Sequence, residues 1–374
     1  MSSAWIDVDI GAIAHNVRTL LATADGAELC GVVKANGYGH GAALAAEGCV
    51  DGGATRLAVA QVNEGIELRE AGFDLPIWVL SEPEPGEWEL AATHRLEPAV
   101  YSDRGIVAAS AAAAAARSAG APLTVHLLAD TGMNRSGVRW TDAADVAIRI
   151  DRDPWLRLGS VWTHLATADE PGNPYTDRQL DRYDEALEAV ERAGVDVPLR
   201  HAANSAGAIG VSRARYDLVR PGIAVYGIAP SHAMAGMADL RPALRLATTV
   251  AYAKKIDPED LVGYGATGSV TRPSWVATVP VGYADGVRRS WTVLGGRALI
   301  GGRPRRLLGR VSMDQIVLDC GDDEIAPGDE VVFIGRQGDA EITAEDVDDD
   351  LGTIGYEVVC DLGRRVERRP KRPG

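Results

Sequence analysis

An α/β chain built as a (β/α)8 barrel followed by a smaller, mainly β domain is what this sequence predicts, and three observations predict it. Eight short apolar runs alternate with longer amphipathic or Ala-rich stretches up to about residue 230. After about residue 235 the texture changes to short β-rich runs broken by Gly, Pro and Asp-Gly turns. The length of 374 residues also exceeds a lone barrel of roughly 250 by enough for a second domain.

The barrel strands are expected at Leu29–Val33, Leu57–Ala60, Ile77–Leu80, Leu96–Val100, Leu123–Leu128, Leu156–Trp162, Leu199–Ala202 and Tyr216–Val219. Helical spacing fills the intervals at Gln61–Ala71, Ser102–Ser118, Ala143–Ile150 and Asp177–Ala193, and Asp9 stands where an N-cap belongs before Gly11–Leu21. The Ala111–Ala116 run suits an outer barrel helix, since Ala is the strongest helix former. These elements give a barrel over residues 1–235 and a β-rich domain over 236–374, joined through the small residues of Ser231–Asp239. Strands of the second domain are expected at Leu246–Ala253, Trp275–Val281, Ala298–Ile300, Gln315–Asp319 and Glu330–Ile334. An acidic stretch, Glu341–Asp350, and a basic tail, Gly363–Gly374, read as solvated surface.

Composition narrows the function. With 46% hydrophobic and 24% charged residues the chain is globular. Its 53 acidic against 38 basic side chains, a net charge of −15, argue against nucleic acid or an anionic membrane as partner. Cys30, Cys49, Cys320 and Cys360 are scattered without metal-ligand spacing, so no metal is expected. No basic-then-apolar leader opens the chain and no apolar run approaches the ~20 residues of a membrane span, so a cytoplasmic protein is expected.

Lysine is scarce: Lys34, Lys254, Lys255 and Lys371 are the only four. Arginine replaces lysine well in solubility and ion pairing, but a guanidinium stays charged and forms no imine. Lys34, alone in the first 253 residues, is therefore the residue to explain. Barrel chemistry sits at the C-terminal ends of the strands. There this sequence places Lys34, then Asp130-Thr131-Gly132-Met133-Asn134-Arg135, then His164, Asn204-Ser205, and Arg220-Pro221-Gly222-Ile223. Each alone would suit a snorkelling, capping or ion-pairing role; together they mark one rim. The loops after the last two strands commonly bind phosphate through backbone N–H groups. A lysine facing such a site, with an arginine near both, suggests pyridoxal phosphate held as a Schiff base.

Seven motifs in order along almost the whole chain resemble the alanine racemases, which are fold-type III pyridoxal-phosphate enzymes: VVKANGYGHG (32–41), DTGMNRSG (130–137), HAANSAG (201–207), VRPGIAVYG (219–227), VGYADG (281–286), GRVSMDQ (309–315) and TIGYEVVC (353–360). The resemblance implies pyridoxal 5'-phosphate on Lys34, with Lys34 and Tyr283 as the two catalytic groups, one on each face of the substrate Cα. It implies a homodimer in which Tyr283 comes from the second subunit. It places Arg220 at the pyridine nitrogen and His164 against the cofactor ring and Arg220. Tyr38, Ser205, Gly222, Ile223 and Tyr356 would hold the phosphate, with Asn204 beside them. Arg135 and the Met313 backbone would bind the substrate carboxylate, and Asp169, Arg310, Ile354 and Tyr356 would line a narrow access channel. The expected reaction is interconversion of L- and D-alanine, supplying D-alanine for peptidoglycan, with a racemase of serine or of a broader range of amino acids as the alternative. A basic-amino-acid decarboxylase shares the barrel-plus-β-domain plan but is expected to carry Cys where Tyr283 stands and an acid where Arg220 stands. A regulatory pyridoxal-phosphate carrier would lack the second domain.

Three departures from the family pattern stand out. Many relatives carry a lysine, often carbamylated and bonded to the arginine of the DTGMNR motif, where this chain has Leu128. Ser312 occupies a frequent cysteine position. Gly263 and Gly268 stand where serine and a bulky aromatic are common; these and Ser312 read as packing changes, with a local loosening of the dimer or site as the alternative at Gly268.

Overall fold

The computed structural model describes residues 4–116 and 122–372, which form two compact units. One comprises Ala12–Gly37 and Ala45–Arg241; the other takes in the chain up to Gly11, Tyr38–Leu44 and the chain from Pro242 onward.

The first unit is the parallel barrel. Its strands are Glu28–Val32, Arg56–Val59, Ile77–Val79, Glu97–Val100, Leu123–Asp130, Leu156–Trp162, Arg200–His201 and Leu218–Val219, and each overlaps an expected run. Both faces of such strands are covered, so apolar residues run on without alternation, as in the fully buried Leu57–Val59 and Ile77–Val79. The last strand returns to the first, Leu218 pairing Glu28. Between the seventh and eighth strands single bonds replace a ladder: Asp217 N–H donates to Arg200 O at 3.0 Å and Arg220 N–H to Ala203 O at 2.9 Å. The Arg200 guanidinium, 2.8 Å from the Asp217 carboxylate, bridges the same seam.

The outer helices follow local rules. Ser102 Oγ accepts Gly105 N–H at 2.9 Å and starts the helix Asp103–Ala115; the expected continuation to residues 117–118 lies outside the described residues. The last long helix begins at Pro174, not Asp177, because Asn173 caps it and proline, lacking an N–H, fits the first turn.

The β-rich unit contains the strands Leu244–Thr249, Tyr252–Ile256, Ser274–Val279, Arg297–Ile300, Arg303–Leu308, Ile316–Gly321 and Glu330–Gln337. The expected run 246–253 is thus two strands parted at Val250-Ala251. The sheet also recruits Ala4–Asp9, which pairs antiparallel with Leu244–Thr249 and parallel with Glu367–Lys371. Asp9 ends this strand and directly precedes the helix Ile10–Thr23, where a cap was expected, and its carboxylate lies 2.9 Å from Lys371 Nζ. Nor is the acidic stretch all solvated. Thr343 and Asp346 form a capping box for a helix Ala344–Leu351 whose Val347 and Asp348 are buried. Part of the basic tail is likewise the edge strand Glu367–Lys371. No helix among the described residues is long and apolar enough to cross a membrane.

Candidate active site

Lys34 follows the first barrel strand by two residues and is half-buried. The four residues after it form a left-handed turn, with φ of 53° at Ala35, 54° at Asn36, 62° at Gly37 and 50° at Tyr38. Side-chain-bearing residues pay about 1–2 kcal/mol each for that conformation, so the surroundings must hold it. Gly37 N–H bonds Val33 O at 2.9 Å, and Ala35 N–H bonds Glu64 Oε1 at 2.6 Å. The other Glu64 oxygen accepts Ala60 N–H and Gln61 N–H at 2.8 and 3.1 Å, where the next helix begins.

Arg220, after the eighth strand, is buried. Its guanidinium lies 4.7 Å over the Trp162 ring, 2.9 Å from Thr163 O and 2.5 Å from His201 Nδ1. Burial lowers its pKa to about 10, still high enough to keep the charge at neutral pH. His164, after the sixth strand, retains some exposed surface. Burial, and then the positive charges of Arg220, Arg135 and Lys34, push its pKa down to about 3 and hold the ring neutral. His164 thus reports three cations gathered around it. A helix clamps the neighbouring loops: the buried Gln179 amide donates to His164 O at 3.0 Å and accepts Ala166 N–H at 2.8 Å. Asp130 Oδ1 accepts the N–H groups of Gly132 and Asn134, each at 3.0 Å, shaping the loop that leads to the exposed Arg135.

Asn204 and Ser205 open a short helix, Asn204 Oδ1 capping Gly207 N–H at 3.0 Å. The buried Ser205 Oγ accepts Gly222 N–H at 2.9 Å and Ala224 N–H at 3.3 Å, which leaves its own O–H proton for a third partner. Ser205, Gly222 and Ile223 are therefore gathered as expected. Leu128 is buried with Ala99 and Trp162 in an apolar cluster, and among the described residues Arg135 has no ion pair.

Tyr38, Tyr283, Met313 and Tyr356 belong to the β-rich unit. The Tyr38 and Tyr356 rings lie 6.2 Å apart, centroid to centroid. Tyr283 and Met313 are 43% and 52% exposed, so both present themselves to whatever covers that surface. Their loops are tied together: Tyr283 N–H bonds Ser312 O at 3.0 Å and Ala284 N–H bonds Met313 O at 3.1 Å. Beneath them the buried Asp285 carboxylate takes Gly282 N–H at 2.9 Å and Arg365 Nε–H at 2.7 Å. Both departing glycines have local reasons. Gly263 has φ of 78°, and a Cβ on Gly268 would lie 2.5 Å from Gly309 N, so a side chain at either position would strain the local backbone.

Fold and rim define the class: a (β/α)8 enzyme with its chemistry at the C-terminal ends of the strands and an amine at the first of them. Residues 8–230 match the alanine racemase N-terminal domain and residues 243–370 the alanine racemase C-terminal domain. The chain belongs to the alanine racemase family. It is 43% identical over 371 residues to an alanine racemase from Symbiobacterium thermophilum, covering 98% of this chain and 97% of that one. Its structure superposes on the alanine racemase from Streptomyces coelicolor with a TM-score of 0.91 at 38% identity, covering 98% of each chain. A histidine racemase from Leuconostoc mesenteroides also matches, with a TM-score of 0.90 at 30% identity over 100% of this chain and 98% of that one.

Three residues that build the site escaped the sequence reading: Glu64, Gln179 and His201. His201 opens the HAANSAG motif and so carried a signal; Glu64 and Gln179 sit in ordinary amphipathic helices and carried none.

Proposed function

We propose that this chain interconverts L- and D-alanine with pyridoxal 5'-phosphate as cofactor, working as a cytoplasmic homodimer that supplies D-alanine for peptidoglycan. The observation that carries the reading is the match of both halves of the chain to the alanine racemase domains, with Lys34 two residues past the first barrel strand and the buried Arg220 just past the eighth. The residues present fit the cofactor. A phosphate finds the spare Ser205 proton and the N–H-rich turn at Gly222 and Ile223, with Asn204 alongside. The family resemblance would add Tyr38 and Tyr356, whose rings lie 6.2 Å apart, to the groups that hold the phosphate. Arg220 would face the pyridine nitrogen as a donor, and His164 would pack against the ring.

When bound, the cofactor would supply an electron sink for the pair left by the departing Cα proton. The protein's own groups move the protons. In one direction the Lys34 amine takes the Cα proton from one face, while the Tyr283 phenol of the partner subunit gives one to the other; in the reverse direction the roles exchange. Residues 1–235 would thus bind the cofactor, and residues 236–374 would complete the partner's site. Exposure of Tyr283 and Met313 supports that reading. Arg135 and the Met313 backbone would orient the substrate carboxylate, and Asp169, Arg310 and Ile354, all exposed, would line the access channel that the resemblance implies.

The test is a racemisation assay on cofactor-loaded protein with Lys34→Ala and Tyr283→Phe, following exchange of the alanine Cα proton in deuterated water. Face-selective loss in the two variants is expected; normal activity in both overturns the assignment. A second reading, a broader or larger substrate, is favoured by Arg135, which is exposed and lacks an ion pair among the described residues. Turnover of L-alanine, L-serine, L-lysine and L-histidine compared side by side decides between them.

A further inference from the structure

A fully buried arginine with no carboxylate against it calls for an electrostatic account. Arg220 has its guanidinium on His201, Thr163 O and Ala202 O, and among the described residues no acid touches it. The hydrogen bonds continue beyond His201. His201 Nε2 lies 2.9 Å from Ser160 Oγ, Ser160 Oγ lies 2.8 Å from His126 Nδ1, and His126 Nε2 lies 3.2 Å from Glu97 Oε2. The same Glu97 oxygen accepts Trp78 Nε1–H at 2.8 Å.

Proton bookkeeping gives this chain one direction. A guanidinium only donates, so His201 Nδ1 must accept and its proton must sit on Nε2. That Nε2–H donates to Ser160 Oγ, whose own proton then goes to His126 Nδ1. His126 in turn carries its proton on Nε2 and donates it to Glu97, which as a carboxylate only accepts. Every dipole therefore points its hydrogen toward the anion and its lone pair toward the cation. Chains aligned in this way polarise one another in a low-dielectric interior. The interior is such a place: His126, Ser160, His201 and Arg220 are all buried. His201 stacks between Trp78 and Trp162, with centroids 4.7 and 5.9 Å away at interplanar angles of 24° and 12°. Glu97 begins its strand and Arg220 follows its own, so the chain runs from the N-terminal to the C-terminal end of the barrel. Arg56, over the Trp78 ring, and Arg157 are the other charges that act on it, and both oppose protonation of His126.

We infer that Glu97, His126 and Ser160 are positioning residues for Arg220, fixing its guanidinium through His201 by a one-way hydrogen-bonded chain that ends on the Glu97 carboxylate. The inference rests on the reading of Arg220 as the donor facing the cofactor ring. With the chain intact, Nη1 is held by His201 while Nη2 is held by the carbonyls of Thr163 and Ala202.

The test has two arms. In the first, the apoprotein labelled with 15N-histidine is examined by NMR. His126 and His201 are expected as neutral rings protonated on Nε2, with His201 changing its signature in Ser160→Ala and in Glu97→Gln. In the second, the same variants are loaded with pyridoxal phosphate. A loss in kcat of about tenfold is expected, as for a sub-ångström to ångström misplacement of a site group. KM for alanine should stay near its wild-type value, the visible absorption band should shift, and Ser160→Thr, which keeps the hydroxyl, should restore both. Glu97→Gln, at the partly exposed end, keeps the test alive should Ser160→Ala fold poorly. A His201 proton found on Nδ1, or a wild-type His201 signature, kcat and absorption band in both variants, overturns the inference. Because the first arm needs neither cofactor nor turnover, a protein without racemase activity would fail the function proposed above while leaving the chain itself to be judged.

Discussion

The backbone N–H of Ala35 donates to the Glu64 carboxylate at 2.6 Å, one residue past Lys34 and at the start of a left-handed turn. A single acid thereby ties the lysine loop to the start of the helix Val62–Glu70, where the Ala60 and Gln61 N–H groups bond its other oxygen. Charge-assisted bonds to backbone are among the stronger ones in a protein.

Glu64→Ala should therefore cost about 1–3 kcal/mol of stability and lower kcat more than it raises KM, because three side-chain-bearing residues are released from a strained conformation. Glu64→Gln, which keeps one acceptor oxygen, should fall between. Urea unfolding and steady-state racemisation measure the two effects; an unaltered Glu64→Ala on both counts means the clamp does not hold the loop.

Much of the barrel was legible because a strand covered on both faces writes itself as a continuous apolar run, and all eight such runs overlap strands. The rim residues were legible because strand ends follow from strands. What escaped was what long-range pairing decides. Ala4, Ile6 and Val8 are buried and alternate with the half-buried Trp5, Asp7 and Asp9, yet their partners lie more than 230 residues away, at Leu244–Thr249, and in Glu367–Lys371. His126, Ser160 and His201 meet inside the barrel from three strands, and no local pattern announces that they face one another. The acidic stretch hid a helix because its charges mask one buried stripe, Ala344, Val347 and Asp348.

Gly282 precedes Tyr283, and a Cβ there would sit 2.2 Å from Met313 O. The obstacle is backbone, which cannot swing aside as a side chain would. Gly282→Ala should push the two loops apart, cost about 1–3 kcal/mol as overpacking does, and displace both Tyr283 and Met313. Exchange of the Cα proton should then fall on the Tyr283 face before the Lys34 face. Equal loss on both faces would show that the loop does not act through Tyr283.

His126, His164 and His201 give stability a pH dependence with a definite sign. Burial, the largest cause in each case, lowers the pKa of His126 and His201, and it brings His164 to about 3 with Arg220, Arg135 and Lys34 adding to the effect. An unfolded chain restores each to about 6.5, so below that value it binds protons the folded chain refuses. Their contribution is present in full above about 6.5 and is lost as pH falls toward the folded values, by at most about 1.4 kcal/mol per pH unit per histidine. Unfolding free energies in urea at about pH 7 and about pH 5 should differ accordingly, and His164→Asn should remove one histidine's share of the difference. A slope unchanged by His164→Asn would place that ring in a water-like environment.

Leu128 marks the place where many relatives carry a lysine bonded to the arginine of the same motif. Here it packs with Ala99 and Trp162, and Trp162 is the ring on which the Arg220 guanidinium rests. Leu128→Met, nearly volume-conserving, should cost less than about 1.5 kcal/mol. Leu128→Lys is a different change: an unpaired ammonium in that cluster costs several kcal/mol unless it sheds its proton. The neutral amine so formed is the species that adds to carbon dioxide, giving a carbamate anion and releasing a proton, and the anion would offer exposed Arg135 the acidic partner it lacks among the described residues. Leu128→Lys should thus melt well below the parent in carbon-dioxide-free buffer and recover part of the difference when bicarbonate is added, while the parent and Leu128→Met ignore it. A melting temperature of Leu128→Lys indifferent to bicarbonate would show that apolar packing, and not the missing acid, is what this position now contributes.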